Sequence, residues 1–139
     1  MKKYLVVLVA MLLVVTGCGG KKLTCTLSKA DQKLTAVMEY SKDNVLKSIK
    51  MTVSVPLEKE LSKEQKEAME SYMGLMCASF NYEGVDCKAE TGSKSVDVVI
   101  KMYMSKMDDT AKQQLGYTEE SSTYDAIKKS LENSGYTCK

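Results

Sequence analysis

Five cysteines, Cys18, Cys25, Cys77, Cys87 and Cys138, carry most of the reactive chemistry open to this chain, which contains no histidine, tryptophan or arginine. Without an imidazole there is no Ser/His/Asp or Cys/His nucleophile system of the usual kind, no histidine general base and no His-containing zinc site. Without a guanidinium there is no bidentate clamp for phosphate or carboxylate. Thiols, carboxylates, lysines, tyrosines and ten methionines remain.

Cys18 stands apart from the other four. Lys2 and Lys3 precede an apolar run from Leu5 to Val15, and Val15-Thr16-Gly17-Cys18 closes it with small residues before a thiol. That order is a lipoprotein signal. It predicts removal of residues 1–17 and a diacylglyceryl thioether, carrying palmitate-type chains, on Cys18 as the new N-terminus; two acyl chains anchor stably where one does not. An ordinary secretory signal ending near a cysteine is the competing reading. The run of about eleven residues covers about half of a hydrocarbon core, so a permanent transmembrane helix is not expected. Residues 18–22 read as lipidated cysteine and tether, Gly19 to Lys22 reaching at most about 13 Å. Lys21 and Lys22 either meet anionic head groups or belong to a solvated linker. The expected address is the extracytoplasmic face of a cell membrane.

Residues 23–139 form one expected domain. The 20 basic residues of the whole chain include Lys2 and Lys3, so 18 lysines balance 18 acids once the signal is gone. Such a balance gives no electrostatic case for nucleic acid.

With Cys18 assigned to lipid, four cysteines remain, and an even count outside the cytosol reads as disulfides. Three connectivities are possible. Structural zinc favours cysteines two to four residues apart, and no pair here is that close; four buried free thiols are the other alternative. Met69, Met73 and Met76, with Met102 and Met104, offer thioethers to Cu(I). They alternate with Tyr72, Val98 and Ile100, however, which is a core pattern. The acidic pairs Asp108/Asp109 and Glu119/Glu120 have the composition of a hydrolase pair, but both sit beside predicted helix starts, where capping explains them. No catalytic residue, metal or cofactor is assigned.

Elements positioning these groups are legible from periodicity. Leu23, Cys25 and Leu27 alternate with Thr24 and Thr26. After a turn around Ala30 to Gln32, Leu34, Ala36, Met38 and Tyr40 repeat the pattern. Val45, Lys47, Ile49, Met51, Val53 and Val55 give a third strand ending at Pro56, with Lys47 breaching the apolar face. Ser62-x-x-Gln65 is a capping box opening a helix whose apolar residues are Leu61, Ala68, Met69, Tyr72, Met73, Met76 and Phe80. Val85, Cys87 and Ala89 pair across a Thr91-Gly92-Ser93 turn with Val96, Val98, Ile100, Met102 and Met104. Asp108 or Asp109 caps a short helix ending at Gly116. Ser122-x-x-Asp125 opens a last helix with Tyr124, Ile127 and Leu131 inward and Gly135 as terminator.

The reading is therefore α+β: an antiparallel sheet of about five strands, in the order β-β-β-α-β-β-α, with helices on one face. Cys25 and Cys87 lie on apolar faces, Cys77 on or just after the long helix, and Cys138 beyond the last one. The shortest bridge joins Cys77 to Cys87, leaving Cys25 with Cys138 to tie the first strand to the C-terminus. Lys42, Lys47 and Lys50 mark a solvated strand edge or face, with a docking surface as the alternative.

Taken in order, the lipobox ending at Cys18, the strand pair Leu34–Tyr40 and Val45–Val53, Ser62-Lys63-Glu64, the Val96–Met104 strand and Ser134-Gly135-Tyr136 resemble the YehR-like bacterial lipoproteins. That resemblance implies a small α+β domain on a lipid anchor and brings no catalytic residues with it. The four further cysteines depart from the family pattern. A composition rich in lysine and lacking arginine, with Gly19 after the lipid cysteine, points to a low-GC Gram-positive source. The expected function is a non-enzymatic, membrane-anchored binding or interaction module with an unidentified protein or ligand partner. The alternatives are a small envelope hydrolase using carboxylates and a ligand or metal carrier. An apolar groove free of carboxylates favours the first, and a cleft converging two carboxylates the second.

Overall fold

Two-residue alternation builds five strands, a two-residue sixth joins them, and the registers place every apolar set on the same side of one sheet. The computed structural model describes residues 20–29 and 31–139; the expected signal, Cys18 and Ala30 lie outside the described residues. The strands are β1 (Lys21–Lys29), β2 (Gln32–Tyr40), β3 (Leu46–Pro56), β4 (Val85–Thr91), β5 (Ser95–Tyr103) and β6 (Thr137–Cys138). The helices are α1 (Lys63–Ala78), α2 (Asp109–Gln114) and α3 (Tyr124–Asn133).

The sheet runs β4-β5-β3-β2-β1-β6, with every neighbouring pair antiparallel. This corrects the expected five strands and their order. A sixth strand of two residues follows the last helix and sits at the edge, opposite Cys25 and Thr26. No periodicity reveals a strand that short. Backbone bonds between Thr24 and Lys139 in both directions extend its pairing.

Leu23 lies opposite Met38, Met38 opposite Ile49, Ile49 opposite Met102 and Met102 opposite Val85, so these side chains share one face. Leu23 and Cys25 are fully buried there, with Ala36, Met38, Tyr40, Leu46, Met104, Met107 and Ala111 in the same cluster. Tyr124, Ile127 and Leu131 of α3 pack against it. Burying a side chain such as Leu23 stabilises the fold by about 1.5–3 kcal/mol. The opposite face carries Lys22, Lys33, Glu39, Lys50, Lys88 and Lys101 and is solvated.

One register detail departs from the alternation. Glu39 pairs with Ser48 but Tyr40 with Leu46, leaving Lys47 as the extra residue of a β-bulge. Leu46 is therefore buried, and Val45, expected on the apolar face, is 55% exposed. Lys47 points to solvent because the bulge displaces it, without any need to snorkel. β1 also begins at Lys21, two residues ahead of the expected Leu23, so Lys21 and Lys22 are strand residues. Lys21 Nζ lies 5.6 Å from the centre of the Tyr124 ring.

Candidate functional site

An apolar surface remains where the helices leave the apolar face of the sheet uncovered. α1 packs on β4, and α3 on β1 and β6. β4 and β1 are separated by four strand spacings, about 19 Å, so the central strands have no helix spanning them along their whole length. Leu34, Met51, Val53, Val98 and Ile100 are accordingly only half-buried, and Val55 is exposed.

A groove of about 290 Å³ opens on this face. Ile49, Met51, Met102 and Met104 line it with Met107, Tyr117 and Ile127, and its serine hydroxyls are those of exposed Ser121 and buried Ser122. Its lining is held by local devices. Asp108 Oδ1 accepts from Ala111 N at 2.7 Å, capping α2, and Gly116 takes φ 71° to reverse the chain after it. Ser122 donates its hydroxyl to Glu119 O at 3.0 Å.

The start of α3 differs from expectation. Its N-cap is Thr123, which makes no side-chain cap, so the Ser122-x-x-Asp125 box does not form. Asn44 supplies the bond instead: Tyr124 N donates to Asn44 Oδ1 at 3.3 Å across the fold. Asn44 takes φ 63°, a left-handed conformation that asparagine tolerates better than most residues. The β2–β3 hairpin thus positions the helix that lines the groove.

Tyr40 anchors the same end of the core. It is 2% exposed, edge-on to Tyr124 at 5.6 Å between ring centres, and its hydroxyl has no hydrogen-bond partner among the described residues. Burial first, then the Tyr124 and Tyr117 hydroxyls, push its phenol up to about 12.

The long helix divides its apolar residues between two faces. Met69, Met73 and Cys77, with Phe80 just beyond the helix, are half-buried, while Ala68, Tyr72, Leu75 and Met76 are exposed, Leu75 by 75%. At 100° per residue the second set sits about 115° round the axis from the first. This corrects the single inward face expected for Ala68, Tyr72 and Met76. The capping box is formed as read, with Ser62 and Gln65 bonding reciprocally.

The four described cysteines are brought together in pairs. Cys77 on α1 is bonded to Cys87 on β4, and Cys25 on β1 to Cys138 on β6. Met102 and Met104 line the groove beside Met51 and Met107, whereas Met69, Met73 and Met76 stay on α1. Among the described residues no group of three or more His, Cys, Asp or Glu side chains is placed to hold a metal ion. Asp109 occupies the first turn of α2 beside the cap, and Glu119 and Glu120 are exposed. Glu39 and Glu119 line a wider cleft of about 650 Å³ with Lys47 and Lys112. Both carboxylates are open to water, and Glu39 accepts from Ser48 Oγ at 3.3 Å. Lys42, Lys47 and Lys50 are all exposed. The groove residues Met107 and Tyr117 lie in connections flanking α2, where no period assigns a side.

No protein-family model matches the sequence, and no curated protein matches it. Among solved structures, the NMR structure of the E. coli YehR protein is similar, with a TM-score of 0.64 at 13% identity over 88% of this chain and 92% of that one. The fold is YehR-like. At such identity the likeness extends to the fold alone. Within this YehR-like fold no described helix is long and apolar enough to cross a membrane.

Proposed function

We propose that this protein is a lipid-anchored module of the bacterial cell envelope that binds an apolar segment or ligand on the open face of its sheet. The observation that carries the binding reading is the 290 Å³ groove, lined by methionine, aliphatic and tyrosine side chains with serine hydroxyls and no carboxylate. Four methionines suit an occupant of variable shape, because unbranched thioethers repack at little cost. The anchor rests on the lipobox at Cys18. It would hold the domain on the extracytoplasmic face, within a few residues of the bilayer.

A carboxylate hydrolase is the second reading, and the cleft shared by Glu39 and Glu119 is its support. Both carboxylates are exposed to water, so the groove carries more weight.

Two measurements test the proposal. Labelled palmitate incorporates into the full chain and not into Cys18→Ala; incorporation into both, or into neither, removes the anchor. A benzophenone side chain at Met102, photoactivated in the native envelope, gives a discrete adduct that the same group at Lys50 on the polar face does not. Equal labelling from both positions removes the groove as a binding surface.

A further inference from the structure

We infer that Cys77–Cys87 is a site of thiol–disulfide exchange with a dithiol reductant, and that its opening releases α1 from the sheet edge while the rest of the domain stays folded. The two disulfides differ in the burial of their sulfurs. Cys25 is 0% exposed, in a strand held between β2 and β6, while its partner Cys138 is half-buried on the edge strand β6. Cys77 and Cys87 are only half-buried, and both line an open cleft of about 330 Å³ with Phe80, Asn81, Asp86 and Lys88. β4 is one of the two edge strands, so the cleft is approached from beyond the sheet without moving any other element.

What the bond holds is equally distinctive. α1 is 16 residues long and has no buried residue. Its packing is against β4, and the bond to Cys87 lies in its last turn. Its first turn is secured locally, by the Ser62–Gln65 capping box and the 3.6 Å Lys66–Glu60 ion pair, neither of which reaches the sheet. Exposed ion pairs of that kind contribute little. The disulfide is therefore the main tie between a lightly packed helix and the strand beneath it.

The exchange is balanced as follows. One thiolate of the dithiol attacks a sulfur of the bridge, forming a mixed disulfide and expelling the other cysteine as a thiolate. The dithiol's second thiol then attacks the mixed disulfide and displaces the remaining cysteine. The reductant loses two electrons and two protons and becomes a disulfide; Cys77 and Cys87 end as thiols.

The test uses the full oxidised chain, with dithiothreitol as the dithiol, under native conditions. Alkylation followed by peptide mapping is expected to label Cys77 and Cys87 and leave Cys25 and Cys138 unmodified. Hydrogen exchange of residues 66–78 should quicken about tenfold or more, with β1, β2 and β3 unchanged. A Cys77→Ser, Cys87→Ser variant should show the same fast helix without reductant. Reduction of both bridges together, reduction of neither short of unfolding, or unchanged protection of the helix after reduction would each overturn the inference.

Discussion

The two disulfides close loops of very different size, which makes their contributions to stability separable. Cys25 and Cys138 are 113 residues apart in sequence and Cys77 and Cys87 only 10. The loop-closure relation then assigns about 4.8 kcal/mol to the long bridge and about 2.7 kcal/mol to the short one. Cys25→Ala with Cys138→Ala also removes a fully buried sulfur, adding a packing loss of the same sign. Cys77→Ala with Cys87→Ala loosens a helix that has no buried residue, so little packing is added there. Urea unfolding followed by far-ultraviolet circular dichroism measures both variants. With a slope of about 2 kcal/mol per molar, the difference between the bridges places the Cys25/Cys138 variant about 1 M below the other in midpoint. An equal or larger loss in the Cys77/Cys87 variant, at unchanged slope, refutes the reasoning. It would mean that α1 is integrated into the cooperative core.

Other expected outcomes follow from single contacts. Tyr40→Phe removes a buried hydroxyl that has no partner among the described residues, and should raise stability by about 1 kcal/mol in the same urea assay. Because the Tyr40 phenol is pushed up to about 12 from an ordinary 10, its neutral form favours the fold. That contribution is complete below pH 10 and disappears as the pH rises to about 12, and a late phase in ultraviolet phenolate titration that is absent from Tyr40→Phe checks it. Asn44→Gly keeps the left-handed turn but loses the cap on α3, costing about 1 kcal/mol, whereas Asn44→Ala adds backbone strain and should cost about 2–3 kcal/mol in thermal unfolding. Leu23→Ala should cost about 2–5 kcal/mol, while Leu75→Ser on the exposed face of α1 should change stability by less than about 0.5 kcal/mol.

Much of the sheet was readable because its apolar face is one-sided: Leu23, Cys25, Ala36, Met38, Ile49 and Met102 fall where a period of two places them. The capping box at Ser62 was equally legible, since its partners lie three residues apart. What escaped depends on distant or irregular geometry. The bulge at Lys47 inverts the sides of Val45 and Leu46, and nothing in the local alternation records where a register slips. Asn44 caps a helix that begins 80 residues later, a bond with no sequence signature. β6 owes its place to Cys25 and Thr24, not to a pattern of its own. The helix α1 shows the limit of spacing most clearly: three- and four-residue intervals identified a helix but merged two distinct apolar faces into one. For the groove, Met102 and Met104 follow from the alternation of the β5 segment, whereas Met107 and Tyr117 flank α2, where no period assigns a side.

The bridge from Cys25 to Cys138 has a consequence for how the chain responds to proteases. It makes nearly all of the domain a closed covalent ring, with Gly20 to Thr24 and Lys139 as the described residues outside it. Cleavage of any single peptide bond inside that ring adds a water molecule and releases nothing. The nicked chain keeps its electrophoretic identity until a reductant is added, and a fragment leaves only after a second cut. Release of a fragment from this domain therefore needs two cleavage events, and its lifetime in the presence of a protease depends on how long the first nick is tolerated by the sheet that surrounds it.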